Sequence, residues 1–275
     1  PRPHEPTDPR VSSRTVLKDE PDTLVEQLVA LAANGGSDTI VVKTYRVHGL
    51  RWLQSWWRKS RAQREHDHLA TIVRAGVPCL QPLGWSAVKR VPFGFRSSTL
   101  QTRFLADSTP LKQVLRTLGR SGGDARIRGR LAAAMGTLVA DLHQAGVLWC
   151  TPMPRNVLVQ GAPVQARLAV CDTPACIRTD RSLHGSRLCR IDLFLGAFSP
   201  SRRRDWSRTE RLRWLLGYTR GERAAARALW RTMARRSSLQ NELERAFAMV
   251  VWTYVRDWLR LGTGDGAAPD AGVQA

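Results

Sequence analysis

The sequence changes from β-type to helical patterning about a third of the way along, near residues 104–108, and this change constrains the fold most. Before it, β-branched runs such as "GGSDTIVVKTYRV" alternate with Gly and Pro turn signals. After it, apolar residues recur at helical spacing, as in "GRLAAAMGTLVADLHQAG". We therefore predict an α+β chain of two lobes, a small β-rich lobe over residues 13–105 and a mostly helical lobe over residues 106–261.

Both ends of the chain have the composition of loose segments. Residues 1–12 are Pro-rich and polar, and residues 262–275 are small and polar, so we predict flexible tails. The first ten residues lack the apolar core of a signal peptide, and no apolar run approaches the roughly 20 residues that span a bilayer. We expect a cytoplasmic protein, either free or peripheral to the inner membrane.

The charge balance favours acidic partners. The chain has 43 basic and 23 acidic residues and a net charge of +20. Nucleic acid, anionic lipid or a phosphorylated ligand would suit this charge, while Arg-rich helices that simply face solvent are the alternative. Two clusters in which Arg is interleaved with Trp, residues 51–61 and 202–214, are candidates for such a surface. We expect an anionic membrane surface rather than nucleic acid, without excluding the latter.

A strand ends in Lys43, the next helix carries Glu65, and a loop before a later strand holds Asn156. This order of chemistry-bearing residues resembles that of the protein-kinase fold. In that fold the lysine neutralises the nucleotide phosphates, the glutamate holds the lysine by an ion pair, and the asparagine binds a metal ion. On position alone, Lys43 also suits an edge strand and Glu65 a solvated helix face.

The segment "DLHQAGVLWCTPMPRNVLV", residues 141–159, has the flanks of a kinase catalytic loop without its central chemistry. Such a loop runs His-Arg-Asp, four residues, then Asn. Counting back from Asn156 places Trp149, Cys150 and Thr151 in the three leading positions. A threonine hydroxyl is not a base near neutral pH, so a general-base contribution of about 10²- to 10⁴-fold should be absent.

A second metal ligand is expected at the end of the next strand, and two aspartates compete for the role. Asp172 follows the apolar strand "RLAV" and lies sixteen residues beyond Asn156, whereas Asp192 lies thirty-six residues beyond it. The larger distance would need a long insertion in a simple hairpin. We prefer Asp172 as the ligand, and we interpret Asp192 as the residue that binds the backbone of the catalytic loop, with metal binding by Asp192 as the alternative.

Several segments resemble the bacterial lipopolysaccharide kinase family, the Kdo and heptose kinases that share the protein-kinase fold. They are "VVKTYR", "SRAQREHDHLATIVRAGVPCLQPLGW", "LVADLHQAGV", "NVLV" and "RTERLRWLLGY", and the resemblance covers roughly residues 38–220. It implies a two-lobe kinase-like fold, ATP and Mg²⁺ as cofactors, and a sugar of the lipopolysaccharide core as phosphate acceptor. The chain departs from the family at Thr151, where the family has a catalytic Asp. It also lacks Gly-x-Gly-x-x-Gly before Thr39.

Three functions are consistent with these features. The first is a kinase-like protein that binds nucleotide with weak or no phosphotransfer, a pseudokinase. The second is an active ATP-dependent kinase of a lipopolysaccharide-core sugar, and the third is a basic module that binds nucleic acid or anionic lipid. The partners expected are therefore a nucleotide and either a lipopolysaccharide precursor or an anionic membrane surface.

Overall fold

The first lobe is an antiparallel sheet of five strands with a helix packed against it. The strands are β1 (Val11–Glu20), β2 (Thr23–Leu31), β3 (Ser37–Arg46), β4 (Pro82–Lys89) and β5 (Phe95–Arg103), and the helix is α1 (Arg61–Arg74). Their spatial order is β1-β2-β3-β5-β4. The computed structural model describes residues 11–31, 37–48, 59–89, 94–163, 165–173, 175–179, 181–199 and 204–234.

Strand β2 resolves an ambiguity in the sequence pattern. The periodicity of "LVEQLVALAA" fits either a strand or a short helix, but residues 23–31 pair with β3 along their whole length. Pairing satisfies the backbone donors and acceptors of both strands, which a helix at this place would leave open on β3. The predicted turn at Asn34-Gly35-Gly36 lies outside the described residues.

Helix α1 begins and ends where the sequence predicts. Ser60 caps it by accepting a hydrogen bond from the backbone N–H of Gln63, and Gly76 follows with a φ of +70°. The sequence spacing predicts that Leu69, Ile72 and Val73 share one buried face, and Leu69 and Ile72 are buried. The prediction is wrong for Val73, which is 43% exposed, because adjacent helical residues are rotated by about 100° from each other.

The second lobe is mostly helical. Its helices are α2 (Leu111–Thr117), α3 (Gly122–Gln144), α4 (Cys189–Leu193), α5 (Arg208–Tyr218) and α6 (Arg223–Ala234), with a π-helical turn at Phe194–Phe198. Its short strands are β6 (Ser108–Pro110), β7 (Val147–Leu148), β8 (Val157–Gln160), β9 (Arg167–Val170) and β10 (Ile177–Arg178). They form the sheets β6-β8-β9 and β7-β10.

Helix α2 begins later than its sequence suggests. Ser108 and Thr109 were expected to cap a helix with Pro110 in its first turn. Instead residues 108–110 form β6, which pairs with β8, and Pro110 occupies the cap position without a side-chain hydrogen bond. An available edge on β8 gives these backbone groups ladder partners, and this outweighs the local preference for capping.

Helices α3 and α5 form the centre of this lobe. They approach closely because Gly136 and Gly217 have no side chain at the contact. A Cβ added to Gly136 would lie 1.9 Å from the carbonyl oxygen of Trp214, and one added to Gly217 would lie 2.0 Å from that of Ala133. The helical spacing of the sequence predicts Trp214, Leu215 and Trp230 as core residues; the first two are fully buried, whereas Trp230 is half-buried. It also predicts Phe247, Val251 and Trp258 as core residues, and these lie outside the described residues.

Main-chain hydrogen bonds join the two lobes. The N–H of Val170 donates to the oxygen of Pro78 at 3.0 Å, and the N–H of Leu80 donates to the oxygen of Val170 at 2.9 Å. The end of β9 is therefore held to the segment that follows α1.

Two of the twelve residues in the predicted N-terminal tail belong to a strand, since β1 begins at Val11. The rest of that tail and the tail at residues 262–275 lie outside the described residues. In the part of the chain that the structure describes, no helix is long and apolar enough to cross a membrane.

Candidate functional site

The ion pair expected between Lys43 and Glu65 is formed at the interface of β3 and α1. Nζ of Lys43 lies 2.8 Å from Oε1 of Glu65. The side chain of Lys43 is only 12% exposed and that of Glu65 is 0% exposed. Tyr45, two residues along the same face of β3, donates its hydroxyl to the other carboxylate oxygen of Glu65. Both oxygens of the buried carboxylate therefore have a donor.

The charges of this pair stabilise each other strongly enough to overcome burial. Burial alone would lower the pKa of Lys43, but the nearby charge of Glu65 raises it well above its usual value. Burial alone would raise the pKa of Glu65, but the charge and hydrogen bond of Lys43, with the Tyr45 hydroxyl, lower it. Lys43 is thus a fixed cation at neutral pH.

Lys43 also reaches the segment that follows β9 in the second lobe. Its Nζ donates to the carbonyl oxygen of Cys171 at 2.7 Å and lies 3.9 Å from Oδ1 of Asp172. Burial raises the pKa of Asp172, the positive charge of Lys43 opposes this, and the negative charge of Glu65 adds to it. The result is a carboxylate, 31% exposed, whose charge the fold does not fully compensate.

Asn156 and Asp172 are brought together by the β8–β9 hairpin. Val157 pairs with Val170, and the N–H of Cys171 donates to the oxygen of Asn156 at 3.0 Å. Asn156 therefore lies opposite the residue that precedes Asp172. This register follows from two short apolar runs of the sequence, which form β8 directly after Asn156 and β9 shortly before Asp172.

The catalytic-loop segment is anchored on Asp192, which is fully buried. Its two carboxylate oxygens accept the N–H groups of Trp149 and Cys150, each at 2.7 Å. His143 lies 3.0 Å from the same carboxylate through Nε2 and 3.0 Å from the hydroxyl of Tyr218 through Nδ1. These contacts agree with the interpretation of Asp192 as the residue that binds the loop backbone, and they occupy both of its carboxylate oxygens.

Trp149 takes the first position of the loop frame and fills it with an indole ring that is fully buried. Its Nε1 donates to the carbonyl oxygen of Asp172 at 3.1 Å. Although Trp149 stands where the loop frame has His, its side chain still hydrogen-bonds the loop to the segment that carries Asp172.

The main-chain oxygen of Thr151 is bonded by Asn156, the residue from which the loop positions are counted. The side-chain amide of Asn156 donates to the main-chain oxygen of Thr151 at 2.9 Å, and the N–H of Met153 donates to the same oxygen at 2.7 Å. Cys150, just before it, has a φ of +61°, so the chain turns sharply at this point. The main chain is thus fixed around Thr151, whose side chain offers a hydroxyl at the position that the sequence count assigns to a catalytic base.

Three buried polar atoms in or next to the loop segment and Asp172 have unused bonding capacity. Oγ1 of Thr151, Oδ1 of Asp172 and Oγ1 of Thr173 have no hydrogen-bond partner among the described residues, as is also true of the indole nitrogens of Trp206 and Trp214 in the core. The first three lie beside the candidate metal ligands, where they are available to a bound ligand. A carboxylate and an amide side chain also suit Mg²⁺, which prefers oxygen ligands. The residues present therefore fit a divalent cation and a phosphate-bearing ligand.

The turn between β1 and β2 does not resemble a phosphate-binding loop. It lies at the Lys43 end of the sheet, because Thr23 pairs with Tyr45. Its carbonyl groups are already used: the oxygen of Asp22 accepts the N–H of Arg46 at 3.1 Å, and that of Pro21 contacts His48 at 3.0 Å. The sequence "DEPD" at the turn contains no glycine, and Asp19 pairs with Arg46 at 3.5 Å while Glu20 pairs with Lys18 at 2.9 Å. A Gly-rich loop would instead offer backbone N–H donors.

The comparisons with known proteins identify the family. A family model described as the lipopolysaccharide kinase (Kdo/WaaP) family matches residues 43–187, more than half of the chain. The chain belongs to this family. A search of the curated proteins found no match. Among solved structures, WaaP in complex with acyl carrier protein is similar, with 20% identity, a TM-score of 0.50, and coverage of 86% of this chain and 88% of that one. At this identity the likeness shows the protein-kinase-like fold.

Three contacts in the candidate site were not predicted from the sequence. Tyr45 could have been found, since residues two apart on a strand share a face and Lys43 was already a candidate. The indole bond from Trp149 to Asp172 and the contact of His143 with Asp192 join residues far apart in the chain, and no local pattern signals either of them.

Proposed function

We propose that this member of the lipopolysaccharide kinase family binds ATP with a divalent cation in the cleft between its lobes, and that it transfers phosphate weakly or not at all. Lys43 would contact the nucleotide phosphates, with Glu65 fixing its position, and Asn156 and Asp172 would hold the cation. The cation would neutralise charge on the phosphates. The observation that carries this proposal is the buried Lys43–Glu65 pair, 3.9 Å from an incompletely compensated Asp172.

The expected weakness of transfer rests on two features of the same cleft. Thr151 cannot remove a proton from an acceptor hydroxyl near neutral pH. The acidic β1–β2 turn cannot cradle phosphates with backbone donors. Both features reduce catalysis while leaving the groups that bind the nucleotide in place.

A thermal-shift titration with ATP tests nucleotide binding. We expect ATP to raise the melting temperature in the presence of Mg²⁺ and to raise it less in its absence, because a ligand that binds only the folded state stabilises it. Lys43→Met removes the cation while keeping apolar volume, and it should abolish the shift. Lys89→Met, on exposed β4, should leave it intact. No shift in the wild-type protein at millimolar ATP would refute the proposal.

An active kinase of a lipopolysaccharide-core sugar is the second candidate. Phosphoryl transfer depends largely on positioning and charge stabilisation, so a complete set of binding groups can support slow turnover. Release of ADP that depends on a purified lipopolysaccharide-core acceptor, absent in Lys43→Met, would establish this activity. A peripheral location at the inner membrane would bring the protein to such an acceptor.

The solved neighbour suggests a further partner. WaaP was solved in complex with acyl carrier protein, and we propose that this chain can be tested for the same association by size-exclusion chromatography of a mixture. Co-elution would support a shared partner, and separate elution would restrict the likeness to the fold.

A further inference from the structure

Helices α5 and α6 border an open groove of about 560 Å³ on the second lobe. It is lined by Arg208, Thr209, Leu212, Arg227, Trp230 and Arg231. Its volume lies within the range of about 300–1,000 Å³ that is usual for small-molecule sites. None of these residues belongs to the candidate nucleotide site.

The three arginines of the groove are exposed, and no acid in the described part of the chain pairs with them. Arg208, Arg227 and Arg231 form no ion pair with any described carboxylate. The acid nearest in sequence on α5, Glu210, points into the core, where it binds Arg128 at 2.6 Å. Its charge is therefore used internally and does not neutralise the groove.

Basic residues continue on the other side of the first turn of α5. A smaller pocket of about 220 Å³ there includes Arg120, Arg126 and Arg213 in its lining. All three are exposed. We name these six arginines, 120, 126, 208, 213, 227 and 231, the arginine face.

The groove also has an apolar floor beside its charges. Trp230 is half-buried and packs edge-on against Phe198, with ring centroids 5.3 Å apart. The guanidinium of Arg208 lies 5.9 Å from the centroid of the Trp230 ring. Leu212, in the lining of the same groove, is 38% exposed. A Trp ring next to arginines is the composition of surfaces that meet lipid headgroups, where the ring tolerates both water and hydrocarbon.

We infer that the arginine face docks this protein on a membrane of anionic lipid, with lipid phosphates bound between Arg208, Arg227 and Arg231. Charge complementarity selects this partner. One guanidinium group can donate two parallel hydrogen bonds to a phosphate, and its positive charge attracts anionic headgroups. An acidic protein helix fits less well. Helix-in-groove binding needs a row of apolar anchors, and the described lining residues offer only Leu212 and Trp230.

Co-sedimentation with lipid vesicles tests the docking. The probes are vesicles of phosphatidylcholine with and without phosphatidylglycerol, and the variant is the triple change Arg208→Gln, Arg227→Gln and Arg231→Gln. We expect the wild type to bind only the anionic vesicles. Each arginine contributes about fivefold to such partitioning, so the triple variant should bind about 100-fold more weakly. Leu212→Gln, which keeps every charge, should weaken binding by a smaller factor.

The matched control removes the same charge elsewhere: Arg103→Gln, Arg167→Gln and Arg178→Gln, three exposed arginines outside the face. It should change binding by only a few-fold. Equal losses in both triple variants would mean that diffuse net charge, and not this face, attracts the membrane. Binding to poly-L-glutamate without binding to anionic vesicles would also overturn the inference. The docking needs no nucleotide, so failure of this test leaves the ATP titration unaffected.

Discussion

The side-chain amide of Asn156 donates a hydrogen bond of 2.9 Å to the main-chain oxygen of Thr151. This bond holds the loop in a fixed shape independently of the side chain at position 151. A carboxylate introduced there would therefore enter a frame that is already built.

Thr151→Asp tests whether the missing base limits the reaction. If the remaining groups bind ATP and acceptor, the change should raise phosphotransfer by about 100-fold, at the lower end of general-base contributions. The measurement is transfer of labelled γ-phosphate from ATP to a lipopolysaccharide-core acceptor. Thr151→Asn, similar in shape to Asp but not a base, is the control. Equal rates in both variants would show that the cleft has diverged elsewhere.

Glu65→Gln should strongly destabilise the protein. It removes the charge that pairs with Lys43, which is only 12% exposed, and leaves that cation without its main partner. Breaking a buried pair in this way costs about 3–5 kcal/mol, measured as the free energy of unfolding in urea. Asp67→Asn, on the same helix as Glu65, breaks an exposed pair with Lys59, which precedes that helix, and should cost at most about 1 kcal/mol. Similar costs for both would contradict the assigned role of burial.

Asp172→Asn should raise the stability of the protein without nucleotide at pH 7. Burial raises the pKa of Asp172, so the folded state prefers the protonated form, and ionisation above that pKa disfavours folding. The advantage of the variant should shrink as the pH falls through the raised pKa, because the wild-type carboxyl then becomes neutral. Unfolding in urea at several pH values measures it. A variant less stable than wild type at pH 7 would contradict this account.

The same substitution should remove the Mg²⁺ dependence of the ATP thermal shift if Asp172 holds the cation. A gain in stability combined with a loss of ligand response would identify a residue retained for binding. Unchanged Mg²⁺ dependence would exclude Asp172 as the ligand.

Gly136→Ala should destabilise the second lobe by at least about 1–3 kcal/mol, the usual cost of overpacking. The added Cβ would lie 1.9 Å from the oxygen of Trp214, so α3 and α5 would have to separate. Urea unfolding measures the loss. Gly123→Ala, in the first turn of the same helix, meets no atom within 4 Å and should be neutral or slightly stabilising. Equal effects at both positions would argue against close packing of these helices.

Asp192→Asn should loosen the catalytic-loop segment. An amide can accept from only one of the two N–H groups of Trp149 and Cys150, and it presents a donor to the other. Amide hydrogen exchange at these two residues should become faster relative to β8. Asp141→Asn, which breaks an exposed ion pair with Arg220, is the control and should leave loop exchange unchanged. Unaltered protection at Trp149 and Cys150 in the Asp192 variant would refute the anchoring role.

Much of the site could be predicted because its residues are tied to short-range patterns. Lys43 lies in a β-branched strand, which continues three residues beyond it to Arg46, and Glu65 lies one turn inside a clearly capped helix. Asn156 and Asp172 flank two strands whose hairpin register brings them together. In each case the local pattern fixes both the element and the end at which the residue lies, so the tertiary contact follows from the fold.

The errors have physical causes of their own. Ser108 and Thr109 joined β6 and did not cap a helix, since a partner strand about fifty residues later in the chain supplied their hydrogen bonds. Val73 is exposed because a helix buries a stripe and not every neighbouring apolar residue. The Trp149–Asp172 bond depends on a rotamer and on the meeting of two distant segments, neither of which a local pattern contains.

The backbone of residues 78–80 bonds Val170, and Lys43 donates to the carbonyl oxygen of Cys171. The two residues that precede Asp172 are therefore both hydrogen-bonded to the first lobe. A side-chain change at residues 78–80 leaves the backbone contacts in place, whereas Leu80→Pro, which has no backbone N–H, would remove one of them directly.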